Sequence, residues 1–163
     1  MSQPWDIWIA EHGPQLVLFA RRWARDRSEA EDMVQEAFVR FWKQHENVRE
    51  PLTYLYRCVR NVANDVARSR GAERRREVDH AAVTAETTQF ACRFDQEDRR
   101  REIEVALNQL PVKQAEVVTL KIWSKLTFDQ IAKVTDTAPG TVASRYRYAL
   151  KQLQTILAES QAK

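Results

Sequence analysis

The sequence predicts an all-α protein, two small helical domains joined by a flexible acidic linker, with a helix-turn-helix in the C-terminal domain. Three observations carry this expectation. Only three glycines occur among 163 residues, and β-branched alternation is scarce, so strands find little support. Apolar residues recur at helical spacing in two blocks, from about Trp5 to Ala67 and from about Ile103 to Leu157. Between the blocks, residues 77 to 98 carry Glu77, Asp79, Glu86, Asp95, Glu97 and Asp98 against Arg93 alone. That stretch is rich in Ala and Thr and poor in large apolar side chains, as flexible linkers are. The implied boundaries are 1–76 for the first domain, 77–101 for the linker and 102–163 for the second domain.

Composition narrows the function classes. Charged residues make up 30% of the chain and the hydrophobic set 44%, as in soluble folded proteins. No stretch reaches the apolar length of a membrane span, and the N-terminus lacks a basic flank with an apolar run. The expectation is a cytoplasmic protein without membrane insertion. Cys58 and Cys92 are too few for a disulfide framework. His12, His45 and His80 are scattered without metal-ligand spacing, so no metal or cofactor is expected. Asp32 and Glu36 stand one helical turn apart, but no nearby helix repeats such a pair, and catalysis is not expected. The net charge of +3 is modest; its distribution is more telling than its size.

In "EAEDMVQEAFVRFW", residues 29 to 42, the residues Ala30, Met33, Val34, Ala37, Phe38, Phe41 and Trp42 mark the buried side of a helix. Ser28 and Glu31 match a capping box at its start. At about 100° per residue, Asp32, Gln35, Glu36, Val39 and Lys43 gather on the opposite side. A merely solvated side needs no Val in its middle. A polar stripe with an apolar centre reads as a docking surface.

In "PLTYLYRCVRNVANDVARSRGAERRR", residues 51 to 76, Pro51 suits a helix start. Leu55, Val59, Val62, Val66 and Cys58 are assigned to the inner side. Tyr54, Arg57, Arg60, Asn61, Asn64, Arg68 and Arg70 remain, followed by Arg74, Arg75 and Arg76. Cations, amides and a ring on one helix suit nucleic acid: cations for phosphate, rings for stacking, amides for base edges. The plainer alternative makes Tyr54 and Tyr56 core and the arginines mere solubilising or dipole-capping charges.

In "LTFDQIAKVTDTAPGTVASRYRYALKQL", residues 126 to 153, Thr127 and Gln130 form a second capping box, and Ile131 and Val134 supply an inner side. The run from Asp136 to Gly140, with Pro139, breaks the helix. A second helix follows, with Val142, Tyr146, Ala149, Leu150, Leu153 and Leu157 at core spacing. This is a helix-turn-helix pattern. Residues 139 to 151 hold Arg145, Arg147 and Lys151 and no acid. Thr141, Ser144, Arg145 and Tyr148 fall on or near the outer side, as a helix entering a major groove requires. An ordinary helical hairpin with a solvated basic side is the alternative. Trp5, Trp8, Trp23, Trp42 and Trp123 lie among apolar neighbours and are assigned to the core.

Taken in order, "AEDMVQEAFVRFW", "YLYRCVRNVANDVARSR" and "LNQLPVKQAEVV" followed by "LTFDQIAKVTDTAPGTVASRYRYAL" resemble the extracytoplasmic-function (ECF) group of sigma-70 RNA polymerase sigma factors. The resemblance covers about residues 5 to 70 and 102 to 157. It implies that Asp32, Gln35, Glu36 and Val39 dock on the clamp helices of the polymerase β′ subunit. It implies that the loop at about Gln44 to Glu50, with Asn61, holds a flipped base of the minus-ten element. Tyr54 would stack at the melted edge and Arg60 and Arg68 would hold phosphates, with Arg57 and Asn64 on the same minus-ten helix. The second domain would read the minus-thirty-five element through Thr141, Ser144, Arg145, Arg147 and Tyr148. The β flap, promoter DNA and an anti-sigma factor are the further partners implied. The sequence departs from the family in placing Asp136 where Gly is usual and in the order of Arg147 and Tyr148. The competing readings are a stand-alone repressor or activator and a purely protein-binding helical adaptor.

Overall fold

The computed structural model describes residues 4–76 and 95–162. The chain divides into two compact units, Met1–Thr88 and Gln89–Lys163. Among the described residues every regular element is helical, as the spacing predicts.

In the first unit, α1 (Pro4–Ala20), α2 (Arg27–Gln44) and α3 (Pro51–Arg76) all pack on one another, with a short 3-10 turn, His45–Asn47, between α2 and α3. Leu16, Phe19, Met33, Ala37, Phe41, Leu55, Val59 and Val62 fill the core. Tyr56 joins them, 1% exposed and edge-on to Phe19, so the plainer reading of this tyrosine is the right one. Burying rings and aliphatic chains from three helices provides most of the stabilisation, at roughly 1.5–3 kcal/mol per side chain.

Three details differ from expectation. The cap of α2 is Asp26, in extended conformation, whose carboxylate accepts from the Glu29 backbone N–H at 2.8 Å. Ser28 therefore lies inside the first turn and forms no capping box with Glu31. Trp42 is 52% exposed. It sits at the edge of the apolar stripe and stacks on His45 with ring centroids 4.5 Å apart. Phe41, fully buried, stacks on the half-buried Trp8 with ring centroids 5.5 Å apart. Arg70 turns inward, donating to the Trp23 carbonyl and to Glu29.

In the second unit, α7 (Pro139–Gln161) packs against α4 (Asp95–Asn108), α5 (Val112–Ile122) and α6 (Phe128–Thr135). Leu107, Leu110, Ala115, Val118 and Ala149 form a core flanked by Ile103, Trp123, Tyr146, Leu153 and Ile156. Of the expected linker, residues 77–94 lie outside the described residues. Residues 95–101 belong to α4. Asp95, Glu97 and Asp98, counted with the linker in the sequence, thus fall within the first turn of that helix.

Candidate functional site

The outer side of α2 is one edge of the site. Asp32, Gln35 and Glu36 are exposed, and Val39 is 51% exposed among them. The helical period aligns these four. Trp42 extends the apolar part of the stripe by one turn beyond Val39, a contribution that assigning every Trp to the core had concealed.

The second edge is α3. Tyr54, Arg57, Asn61, Asn64 and Arg68 recur at spacings of three and four and share one stripe. Arg57, Asn61 and Arg68 are exposed, Asn64 and Tyr54 half-buried. Arg60 is half-buried at the edge of the stripe. Asn64, Ala67 and Arg68 line a shallow concavity. The Tyr54 ring lies 6.1 Å from Phe41. Burial pushes its hydroxyl up, and the neighbouring Cys58 adds to that shift. Burial likewise pushes the Cys58 thiol up, against the hydrogen bond from Tyr54. Tyr54 is thus a neutral ring at physiological pH.

Charge links the two edges. Arg40 lies 3.5 Å from Glu36 on its own helix and 3.2 Å from Asp65 on α3. Asp65 also pairs with Arg68. Partial burial raises the Asp65 carboxyl, but hydrogen bonds from Arg68 and Arg40 outweigh it and hold the group below its ordinary value. Neither Arg40 nor Asp65 is among the residues that the sequence motifs single out. An Arg four residues after Glu36 was the available signal.

The second unit carries the helix-turn-helix. Thr127 Oγ1 accepts from the Gln130 N–H at 3.1 Å, and Gln130 Oε1 accepts from the Thr127 N–H at 2.9 Å, so the capping box closes as the sequence predicts. Asp136 ends α6 in the left-handed region, φ 52°. Its N–H and that of Thr137 both donate to the Ala132 carbonyl. Asp is one of the few non-glycine residues that hold this conformation at modest cost. The break is shorter than expected, because Pro139 is already the first residue of α7. Thr141, Ser144, Arg145 and Tyr148 share one stripe of α7 and Arg147 stands to its side. Thr141, Arg147 and Tyr148 are exposed, Tyr148 by 62%, and Ser144 and Arg145 are half-buried. Tyr146 faces the other way, edge-on to Phe128 at 5.6 Å.

Comparison with known proteins fits this arrangement. The Sigma-70 region 2 family model matches residues 8–73, and that of Sigma-70, region 4 matches residues 100–153. The ECF RNA polymerase sigma factor SigL of Mycobacterium tuberculosis is 31% identical over 158 residues, covering 91% of this chain and 86% of its own. The ECF RNA polymerase sigma factor SigE of Mycolicibacterium smegmatis is 28% identical over 160 residues, covering 95% of this chain. The chain spans 62% of the length of that relative. The sigma factor RpoE of Bartonella quintana, solved in complex with the anti-sigma factor NepR, matches with a TM-score of 0.75. It covers 96% of this chain and 98% of its own at 24% identity, a likeness of fold. The chain belongs to the ECF sigma factors of the sigma-70 family.

Proposed function

We propose that this protein is a promoter-specificity subunit that binds core RNA polymerase, recognises minus-ten and minus-thirty-five elements and initiates transcription of a particular set of genes. The observation that supports it best is the order of surfaces along the chain. An exposed acidic and apolar stripe on α2 is followed by a basic and amide-bearing stripe on α3, and then by a helix-turn-helix on α6 and α7, each inside the matching sigma-70 region.

In this reading Asp32, Gln35 and Glu36 pair with cationic and polar groups of the β′ clamp helices, and Val39 supplies a centre from which water is excluded. Asn61 reads a base splayed out of the minus-ten duplex, since unstacking exposes the edges that an amide can recognise. Tyr54 stacks at the melted edge, and Arg57, Arg60, Asn64 and Arg68 hold the backbone and flanking bases. Thr141, Ser144, Arg145, Arg147 and Tyr148 face the minus-thirty-five duplex, and the same unit meets the β flap. The protein acts in the cytoplasm, where polymerase and chromosome are. An anti-sigma factor holds it inactive in this reading: the sigma factor RpoE, similar in fold, is solved in complex with the anti-sigma factor NepR, and CnrH, also similar in fold, with the cytosolic domain of CnrY.

The two DNA contacts separate experimentally. Asn61→Ala weakens promoter opening and blurs the minus-ten preference by about 1–3 kcal/mol, the worth of one base contact. Arg145→Ala weakens binding to minus-thirty-five duplex and leaves activity on a preopened template little changed. Permanganate footprinting reports opening, and duplex binding at stated salt reports recruitment. An Asn61→Ala protein with unaltered opening and base preference would remove α3 as the minus-ten reader.

A further inference from the structure

α2 and α3 are joined along their outer edge by a chain of charges that begins on the docking stripe and ends on the basic one. Glu36 lies 3.5 Å from Arg40. Arg40 Nη1 donates to Asp65 Oδ2 across the helix interface at 3.2 Å. Arg68, almost one turn further along α3, donates to the other oxygen, Asp65 Oδ1. One carboxylate thus serves two guanidiniums, and one guanidinium serves two carboxylates. The four side chains are 54%, 41%, 45% and 79% exposed in that order, so partners can exchange without unfolding.

We propose that Asp65 is a counter-ion switch. It withholds Arg68 from phosphate in the free chain, and docking of Glu36 on the polymerase relaxes that hold. The inference rests on the proposed roles of Glu36 in docking and Arg68 in phosphate contact. Glu36 and Asp65 compete for Arg40. When a cation of the polymerase takes Glu36, Arg40 turns wholly to Asp65. Asp65 then holds Arg68 less tightly, and its guanidinium fork is released to phosphate oxygens, which it matches in geometry. By linkage, phosphate capture strengthens docking by the same factor. Arg40 and Asp65 are positioning residues in this scheme.

Binding of a fluorescein-labelled oligothymidylate to the full chain, at fixed low salt, tests the switch. Glu36→Gln imitates the loss of Glu36 to the polymerase. Glu31→Gln removes the same charge from α2 and likewise breaks an i,i+4 pair, with Arg27 at 3.0 Å, outside the chain of contacts; it calibrates the effect of a lost charge and a freed arginine. Relative to Glu31→Gln, both Glu36→Gln and Asp65→Asn are expected to tighten binding about two- to fivefold, the range that exposed ion pairs allow. The gain from Glu36→Gln is expected to vanish in an Arg40→Gln background, which also carries the test should Asp65→Asn impair folding by circular dichroism. A Glu36→Gln protein equal to Glu31→Gln, or a gain that persists without Arg40, overturns the switch. Arg68→Gln separates the two levels. Should it weaken binding while the Glu36 gain is absent, only the switch fails; should it bind like the parent, the phosphate role of Arg68 fails with it.

Discussion

Replacing Arg70 by Ala should unfold the first unit at a markedly lower temperature, whereas replacing Arg68 by Ala should not. Both are arginines on α3, but the structure gives them opposite duties. Arg70 is 19% exposed and fixes the C-terminal half of α3 to the Trp23 carbonyl and to Glu29, itself 21% exposed. Breaking a fully buried ion pair costs about 3–5 kcal/mol, and an exposed pair contributes about 1 kcal/mol or less. Arg70 lies between these limits, and Arg25, 3.1 Å from Glu29, keeps part of the charge paired. The expected loss is about 2 kcal/mol. For a unit of this size each kcal/mol moves the melting temperature by roughly 4–8 °C, so the shift is roughly 10 °C. Arg68, 79% exposed, should cost under about 1 kcal/mol. Thermal unfolding followed by circular dichroism, with parallel oligonucleotide binding, gives both readouts. Equal melting temperatures for the two variants would refute the structural assignment of Arg70.

Further expectations concern docking, pH and the helix-turn-helix. Asp32→Arg combined with Glu36→Arg should abolish capture by core polymerase without loss of helical content, because both lie opposite the apolar side of α2. Pull-down with core and circular dichroism on one preparation would show this, and undiminished capture would remove α2 as the docking helix. The stability of the first unit should fall in acid. Burial raises the Glu29 carboxyl, but hydrogen bonds from Arg70 and Arg25 outweigh it and hold the group below its ordinary value, as those from Arg68 and Arg40 do for Asp65. Both bind protons more weakly folded than unfolded. Their stabilisation is therefore complete above the ordinary carboxylate range and lost as pH falls through the folded-state values. Urea midpoints across that window would record it, and a midpoint flat in pH would contradict it. Thr127→Ala removes one side of a closed capping box and should destabilise the second unit by about 1 kcal/mol, measurable as a shift in its urea midpoint.

Where a structural feature depends on period and local hydrogen bonding, the sequence was legible. The buried sides of α2 and α7, the Thr127–Gln130 cap and the left-handed Asp136 all follow from spacings of three and four or from one residue's side-chain chemistry. Features that depend on which neighbour lies alongside were not. Trp42 fits the apolar period, yet half of its surface stays exposed and its ring stacks on His45. Arg68 and Arg70 look alike in sequence, and only the Trp23 carbonyl and Glu29, which accept from Arg70, tell them apart. Asp26 wins the cap of α2 over Ser28 because the turn leading from α1 places it in extended conformation. Arg40 and Asp65, twenty-five residues apart, meet only through the packing of α2 on α3.

Promoter-specific initiation is tested most directly by transcription in vitro with purified core RNA polymerase, this protein and a library of promoter fragments. Initiation, dependent on the protein, is expected from a discrete subset of fragments that share one minus-thirty-five and one minus-ten sequence. A protein that binds promoter duplex alone, fails to bind core and yields no transcript with it would be a stand-alone helix-turn-helix regulator instead.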